Sequence, residues 1–360
     1  MKSSELRYAP AKDVPFILDL KMQAARYFEA SGAHRWGDAA AIFKGLFLFA
    51  FAIGAYWGAL QSRTFGIFAA AYVVFMFASM LLAMNVLHDA AHLAVFQTKW
   101  LNRWVNRLIA LPLGIDPDYW TVRHVRYHHV HPNVDGLDLD IEANAFLRQT
   151  PFQPYMKHFR FQHMYWPLVA ALSLPYINWV FDWSDRLGKT VIAQEKVLNG
   201  AQGWLIFVAA KILHIGMTLG APILLLPHLS VWQIIAVYVC AQLVASFFVV
   251  AMILGTHWAD VEFFVAPENQ QMPHTWVEHS FRTAVDWQPK PRWLTYWMGG
   301  LNLHLTHHVF PTRHHRHYPA LAQIVKQTAA AHGWAYREID YQTLVRLQQQ
   351  FLKRMGRSPL

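Results

Sequence analysis

The chain has a single cysteine, Cys240, and it sits inside an apolar run. That excludes a disulfide framework and any cysteine-based zinc or iron–sulfur site, so a metal bound here must take nitrogen or oxygen ligands. Charge is also scarce. Only 15% of residues are charged, against 55% hydrophobic residues and 16 tryptophans, a balance that points away from soluble domains and toward a membrane protein. Acidic residues are the rarer sign, 22 against 31 basic ones, for a formal net charge of +9. The basic residues are spread over three polar segments and form no stripe, which speaks for anionic lipid headgroups and against nucleic acid.

What the chain has in quantity is long apolar stretches and histidine. A bilayer crossing takes about 20 apolar residues, and four runs qualify: 39–60, 65–87, 204–226 and 231–254. The turns 61–64 and 227–230 are so short that each pair of runs makes a tight hairpin. Segments 1–38, 88–203 and 255–360 then fall on one side. They carry 6, 11 and 11 lysines and arginines, whereas the two hairpin turns carry only Arg63, so the positive-inside rule makes that side cytoplasmic. The expected fold is an all-α membrane protein, residues 1–360 as one domain: four transmembrane helices in two hairpins, with a cytoplasmic helical cap. Both termini lie in the cytoplasm.

Smaller features fill in this outline. Lys44 can snorkel from its run, and Lys211 calls for a partner on a facing helix. The proline-interrupted stretches 108–115 and 166–180 read as interfacial or re-entrant helices. The N-terminal segment, with Lys2, Arg7, Lys12, Lys21, Arg26 and Arg35, lacks a signal-peptide layout. Its pattern Phe16, Ile17, Leu20, Ala24, Tyr27, Phe28 has helical period and suggests an amphipathic helix lying on the membrane. In the tail, Leu321, Ile324 and Val325, then Leu344, Leu347 and Phe351, predict helices that pack on the cytoplasmic domain, near a docking surface for a redox partner.

The histidines, 21 in all, are grouped. His88 and His92 stand at i, i+4, about 6 Å apart along a helix axis, where the second run ends. His124 and His128 repeat that spacing with His129 beside them. His304, His307 and His308 stand at i, i+3, i+4, one face of a helix. His257 follows the fourth run. Any one pair is as readily a polar helix end as a ligand pair. Three clusters with ligand spacing, put on the same side by the topology, favour a metal site. Nine imidazoles are too many for one tetrahedral zinc, and imidazole suits iron, copper, nickel and zinc alike, so two metals are the natural count. His214 and His228 read as structural, His314, His315 and His317 as a basic surface, and His274 and His279 fit either role.

The patterns HxxxH, HxxxHH and HxxHH, at His88 to His92, His124 to His129 and His304 to His308, resemble the three histidine boxes of the integral-membrane fatty acid desaturase superfamily. Tyr27-Phe28 with Gly32, the segment from Asn85, Gly300-Leu301-Asn302-Leu303, Val309-Phe310-Pro311 and His317-Tyr318-Pro319-Ala320-Leu321 are similar to its bacterial linoleoyl-CoA or acyl-lipid branch. That branch usually has Gln where His304 stands, a departure that argues for the general pattern over front-end regiochemistry.

The resemblance implies two iron ions held by His88, His92, His124, His128, His129, His304, His307 and His308, with His257 as ninth ligand. Asp89, Asp138, Asp140 and Asp260 are then candidate acceptors that fix imidazole tautomers. Asn302 could hydrogen-bond a metal-bound water, and Trp120 could wall the acyl chain. The implied reaction uses dioxygen to remove a hydrogen from an unactivated methylene of a fatty acyl chain; losing a second gives the alkene. A hydroxylase, acetylenase or carotenoid-type oxygenase would share the scaffold. A metal transporter would instead place its ligands inside the spans. Electrons come from a separate donor of ferredoxin, rubredoxin or cytochrome b5 type. The expected setting is a bacterial inner membrane.

Overall fold

The structure is a computed structural model that describes residues 6–12, 14–195, 197–198 and 200–358, so Lys2 of the basic N-terminal segment lies outside the described residues. The architecture is mostly helical, and the chain forms two compact units. One comprises Asp38–Val122 and Pro167–Ala251. The other comprises Met1–Gly37, Arg123–Trp166 and Met252–Leu360.

The first of these carries the apolar helices. Among the described residues, four helices are long and apolar enough to cross a membrane: Ala39–Leu60, Phe65–Ala91, Gly200–Leu225 and Val231–His257. The runs expected from hydropathy are these four, with the second and fourth extended at their ends through the histidine-bearing turns. Asp38 starts the first by accepting the Ala41 N–H at 2.9 Å, and Thr64 caps the second through the Ile67 N–H. Leu205, Ile212, Leu224 and Trp232 face outward, as lipid contact requires. A π-helical turn, Gly216–Gly220, interrupts the third. Tyr56 donates to the Met217 carbonyl at 2.6 Å and Tyr72 to that of Thr218 at 2.7 Å, so the widened turn's carbonyls are met by side chains.

This unit also buries charge. Lys211 has its partner: its Nζ donates to the carbonyls of Gly114 and Asn178 at 2.6 and 2.7 Å, and to Asn178 Oδ1 and Asp182 Oδ2, both at 2.8 Å. Asp182 Oδ2 also accepts the Asp116 N–H, and Asp116 accepts Arg186 at 2.9 Å. A side chain at Gly114 would collide with Asn178, whose amide nitrogen lies 2.2 Å from the position of an added Cβ. His214 is structural here, bonded to the Leu111 carbonyl, Asn178 and Tyr238. Lys44 does not snorkel; it is buried, with the Asp89 carboxylate acting on it electrostatically.

The other unit is a helical body edged by two short parallel strand pairs, Val134–Asp135 with Phe264–Val265 and Asp286–Gln288 with Glu338–Asp340. The N-terminal amphipathic helix forms, as Pro15–Ser31, but its apolar face does not lie on a membrane. Phe16, Ile17 and Leu20 are buried among Phe281, Val325 and Ala329, and Trp334 stacks on Phe16 at 4.0 Å. An apolar stripe needs an apolar cover, and the helix Tyr318–Ala331 supplies it within the protein. The tail helix Tyr341–Met355 likewise buries Leu344, Phe351 and Leu352 in this unit.

Candidate metal centre

Seven of the nine expected ligands belong to the second unit, and all seven are buried. One ring nitrogen from each of His128, His257, His304 and His308 lies within 4.8 Å of the others. Those of His124, His129 and His307 meet the same limit among themselves. The two groups abut, with His129 and His308 rings stacked 4.3 Å apart.

The adjacent histidines divide between the groups. On the helix His304–Val309 neighbours point about 100° apart, so His307 turns to His129 with Nε2 atoms 2.8 Å apart, and His308 turns to His257 and His304. At the second box the rings of His124 and His128 stack 5.5 Å apart, both beside Asp140, but the turn that carries them is not α-helical. The segment Val122–His128 is π-helical, and the His129 N–H bonds the His124 carbonyl five residues back, at 2.9 Å. The wider turn also brings i+5 beside i, edge to face. His129 therefore joins His124 at 3.2 Å between Nε2 atoms, and His128 is released to the other group.

Backbone and carboxylate partners orient the rings. Nδ1 of His257 donates to the Thr283 carbonyl at 2.8 Å, which leaves Nε2 as a lone pair facing His304 Nε2 at 2.8 Å. Nδ1 of His128 lies 3.1 and 3.2 Å from the Asp138 oxygens and 3.5 Å from Asp140. Asp138 is fixed by the Asn133 and Asp140 N–H groups at 2.8 and 3.0 Å. Asn133, at φ 57°, ties this loop to the carbonyls of His257 and Glu262. Burial alone would lower the pKa of His128, but the Asp138 and Asp140 carboxylates outweigh it and raise it to about 9, so a metal at Nε2 would compete with a proton. His308 is the opposite case. Burial, reinforced by the neighbouring imidazoles, holds its pKa well below the usual histidine range, and neither ring nitrogen has a hydrogen-bond partner.

That unmet pair of buried nitrogens tests whether a metal fits. Buried polar atoms are almost always bonded, and lone pairs converging without donors between them are what a cation satisfies. Neutral imidazoles with few carboxylates suit a transition metal.

His88 and His92 close the second apolar helix in the other unit, with rings 5.1 Å apart. Asp89 Oδ1 is 3.7 Å from His88 Nδ1, and the Trp120 ring is 6.3 Å from that of His88. Other expectations change. Asp260 is engaged by Arg337. Asn302 gives its amide nitrogen to the Trp287 carbonyl and Thr295, anchoring the loop before the third box, while its buried Oδ1 has no hydrogen-bond partner. His314, His315 and His317 form no basic surface: all three are buried, and His317 donates to the His34 carbonyl at 3.0 Å while accepting from Tyr27. His274 and His279 relay a chain of bonds from Arg282 to the Pro132 carbonyl, with no convergent lone pairs.

Besides Thr283, two further partners had no spacing signal in the sequence. The Tyr318 hydroxyl lies 2.7 Å from His307 Nδ1, an approach permitted by Gly300, where an added Cβ would stand 2.9 Å from the Tyr318 ring. Asp286 accepts the Thr306 N–H and hydroxyl at 3.1 and 2.5 Å, fastening the third box from a distant strand.

Comparison with known proteins agrees with this geometry. Residues 63–340 match the family model described as fatty acid desaturase. The chain is 26% identical to an acyl-lipid (8-3)-desaturase of Physcomitrium patens, over 99% of this chain and 74% of the relative. It is 25% identical to an sn-1 linoleoyl-lipid 6-desaturase of Synechocystis, over 77% of each chain, and 24% identical to Delta(5) fatty acid desaturase A of Dictyostelium discoideum, over 80% of this chain and 63% of that one. With the family model spanning well over half its length, the chain belongs to the fatty acid desaturase family, oxidoreductases that introduce double bonds into acyl chains.

Proposed function

We propose that the protein desaturates the acyl chain of a membrane lipid at two iron ions. His128, His257, His304 and His308 hold one, and His124, His129 and His307 hold the other; His88 and His92 are the remaining two of the nine proposed ligands. In this reading the whole chain works as a single domain, both termini are cytoplasmic, and the setting is a bacterial inner membrane. The observation that carries it is His308, buried with two unpartnered nitrogens amid converging imidazoles. The lipid carrier is favoured over a soluble thioester by the relatives' names, two of which specify acyl-lipid or linoleoyl-lipid substrates.

When bound, the iron pair supplies, with dioxygen and external electrons, the power to break unactivated C–H bonds. The chain's residues orient and shield. Thr283 and Asp138 fix the tautomers of His257 and His128, so that Nε2 faces inward. Burial of all seven imidazoles keeps water from the reactive centre. Asp89 is the carboxylate beside His88, and Trp120 borders the acyl chain.

The test is purification with iron quantitation and mass spectrometry of host lipids. Roughly two irons per chain and a new unsaturation are expected. Zinc alone, or iron content unchanged by His307→Ala, would overturn the reading.

A further inference from the structure

We infer that the tail helix Tyr341–Met355 is the electron entry port: its basic outer face docks an acidic one-electron carrier protein, and Phe351 and Trp258 bridge from that face to His257. This deepens the proposed function and rests on it.

The bridge is all within one unit. Phe351 and Trp258 are each 1% exposed, and their rings stack 5.1 Å apart at 27°. Trp258 follows His257 directly in the chain. On the outer side, the Arg354 guanidinium lies 5.7 Å from the centre of the Phe351 ring, and Phe263 stacks on the same ring at 5.3 Å. Aromatic rings in contact thus run from an arginine at the surface to the residue beside a candidate ligand. Tunnelling weakens steeply with each gap in packing, so a close-packed path of π systems is a favourable one.

The helix is placed for that purpose by a glycine. At Gly255, in the turn Leu254–His257, an added Cβ would lie 2.8 Å from Leu344 Cγ, so only hydrogen there lets the helix sit against the turn that bears His257. Its outward charge has one sign. After Asp340 the sequence has no acidic residue, while Arg346, Lys353, Arg354 and Arg357 are all exposed. Such a patch raises the encounter rate with a negatively charged partner, more so at low salt. An anionic lipid surface would also be attracted. It would need no aromatic stack behind the patch, and that favours the protein.

The chemistry balances. Each docking transfers one electron from the reduced carrier to the metal pair, and two such transfers with two protons and the two hydrogens of the substrate reduce one dioxygen to two waters.

The experiment uses the iron-loaded protein in detergent and in nanodiscs with or without anionic lipid. Reduction is followed by stopped flow with three acidic carriers, a plant-type [2Fe–2S] ferredoxin, a flavodoxin and a soluble cytochrome b5 domain, and separately with dithionite and a small mediator. At least one carrier should reduce the parent protein. Lys353→Glu with Arg354→Glu should slow that carrier roughly tenfold or more at low salt and flatten its salt dependence, with iron content and mediator-driven desaturation unchanged. Phe351→Leu should slow reduction at saturating carrier without weakening carrier binding; Trp258→Leu should do the same, and Trp258→Phe should restore the rate. The inference is overturned if no carrier reduces the parent, if charge reversal leaves the rate intact, or if it lowers the rate only in anionic nanodiscs. Mediator-driven product formation reports on the desaturase reading itself, so the two failures are distinguishable.

Discussion

Both units bury many polar groups, but they settle them differently. In the unit of apolar helices, Lys211 has four acceptors, one of them the Asp182 carboxylate, and Arg186 is matched to Asp116. In the histidine unit, imidazole nitrogens converge on one another, and His308 has no hydrogen-bond partner. A satisfied buried network holds structure together, whereas a convergent unsatisfied one is a site for something else to bind. Residue type does not tell these apart: His214 and His308 are both fully buried histidines, and only the first has its bonds made.

The sharpest way to break the comparison is His308→Ala. It should abolish metal retention and desaturation while leaving the protein folded, because it removes an unmet group. Iron quantitation beside thermal unfolding in detergent checks both halves. Lys211→Met should do the reverse. It leaves Asp182 buried without its cation, a loss of about 3–5 kcal/mol, so the unfolding midpoint should drop sharply while iron per folded chain stays at the parent level. Lys211→Met combined with Asp182→Leu should recover much of the loss. If the double variant is as unstable as the single one, the network is more than a neutralised pair.

These two outcomes also divide what the sequence could reveal. The four spans and the three boxes were legible, since hydropathy and ligand spacing are local patterns. The amphipathic period of the first helix was legible too, but not its cover, because an apolar stripe reads the same whether Val325 and Ala329 or a lipid lies across it. The division of His128 from His129 depends on a π-helical turn with no signature in those residues. The partners Tyr318, Thr283 and Asp286 reach their targets through tertiary contact, and no spacing rule leads to them.

A smaller effect is expected where a satisfied group supports an unsatisfied one. Asp138→Asn keeps the shape but weakens the hold on His128 Nδ1, and second partners of this kind are worth about 10–100-fold in metal affinity. Competition with a chelator should show that loss with little change in the metal-free unfolding midpoint. An equal drop in both would mean that the Asp138 loop, pinned by Asn133, matters chiefly for folding.

The smallest effect probes how the third box is fastened. Burial raises the Asp286 pKa from 3.8 to about 6, against the opposing pull of the Thr306 and Tyr336 bonds. A raised acid means that the folded state holds the proton more tightly, so this group contributes most to stability below about pH 4, and the contribution falls as pH rises to about 6. Thr306→Val deletes one donor to the carboxylate at nearly constant volume. It should lower stability by about 1–2 kcal/mol at pH 8, where the ionised group is left short of a bond, and by less at pH 4, where the carboxyl is protonated. Asp286→Asn should flatten that part of the stability–pH curve. If Thr306→Val costs the same at both pH values, the carboxylate is not what the hydroxyl serves, and the third box is held by the helix His304–Val309 and Tyr318 alone.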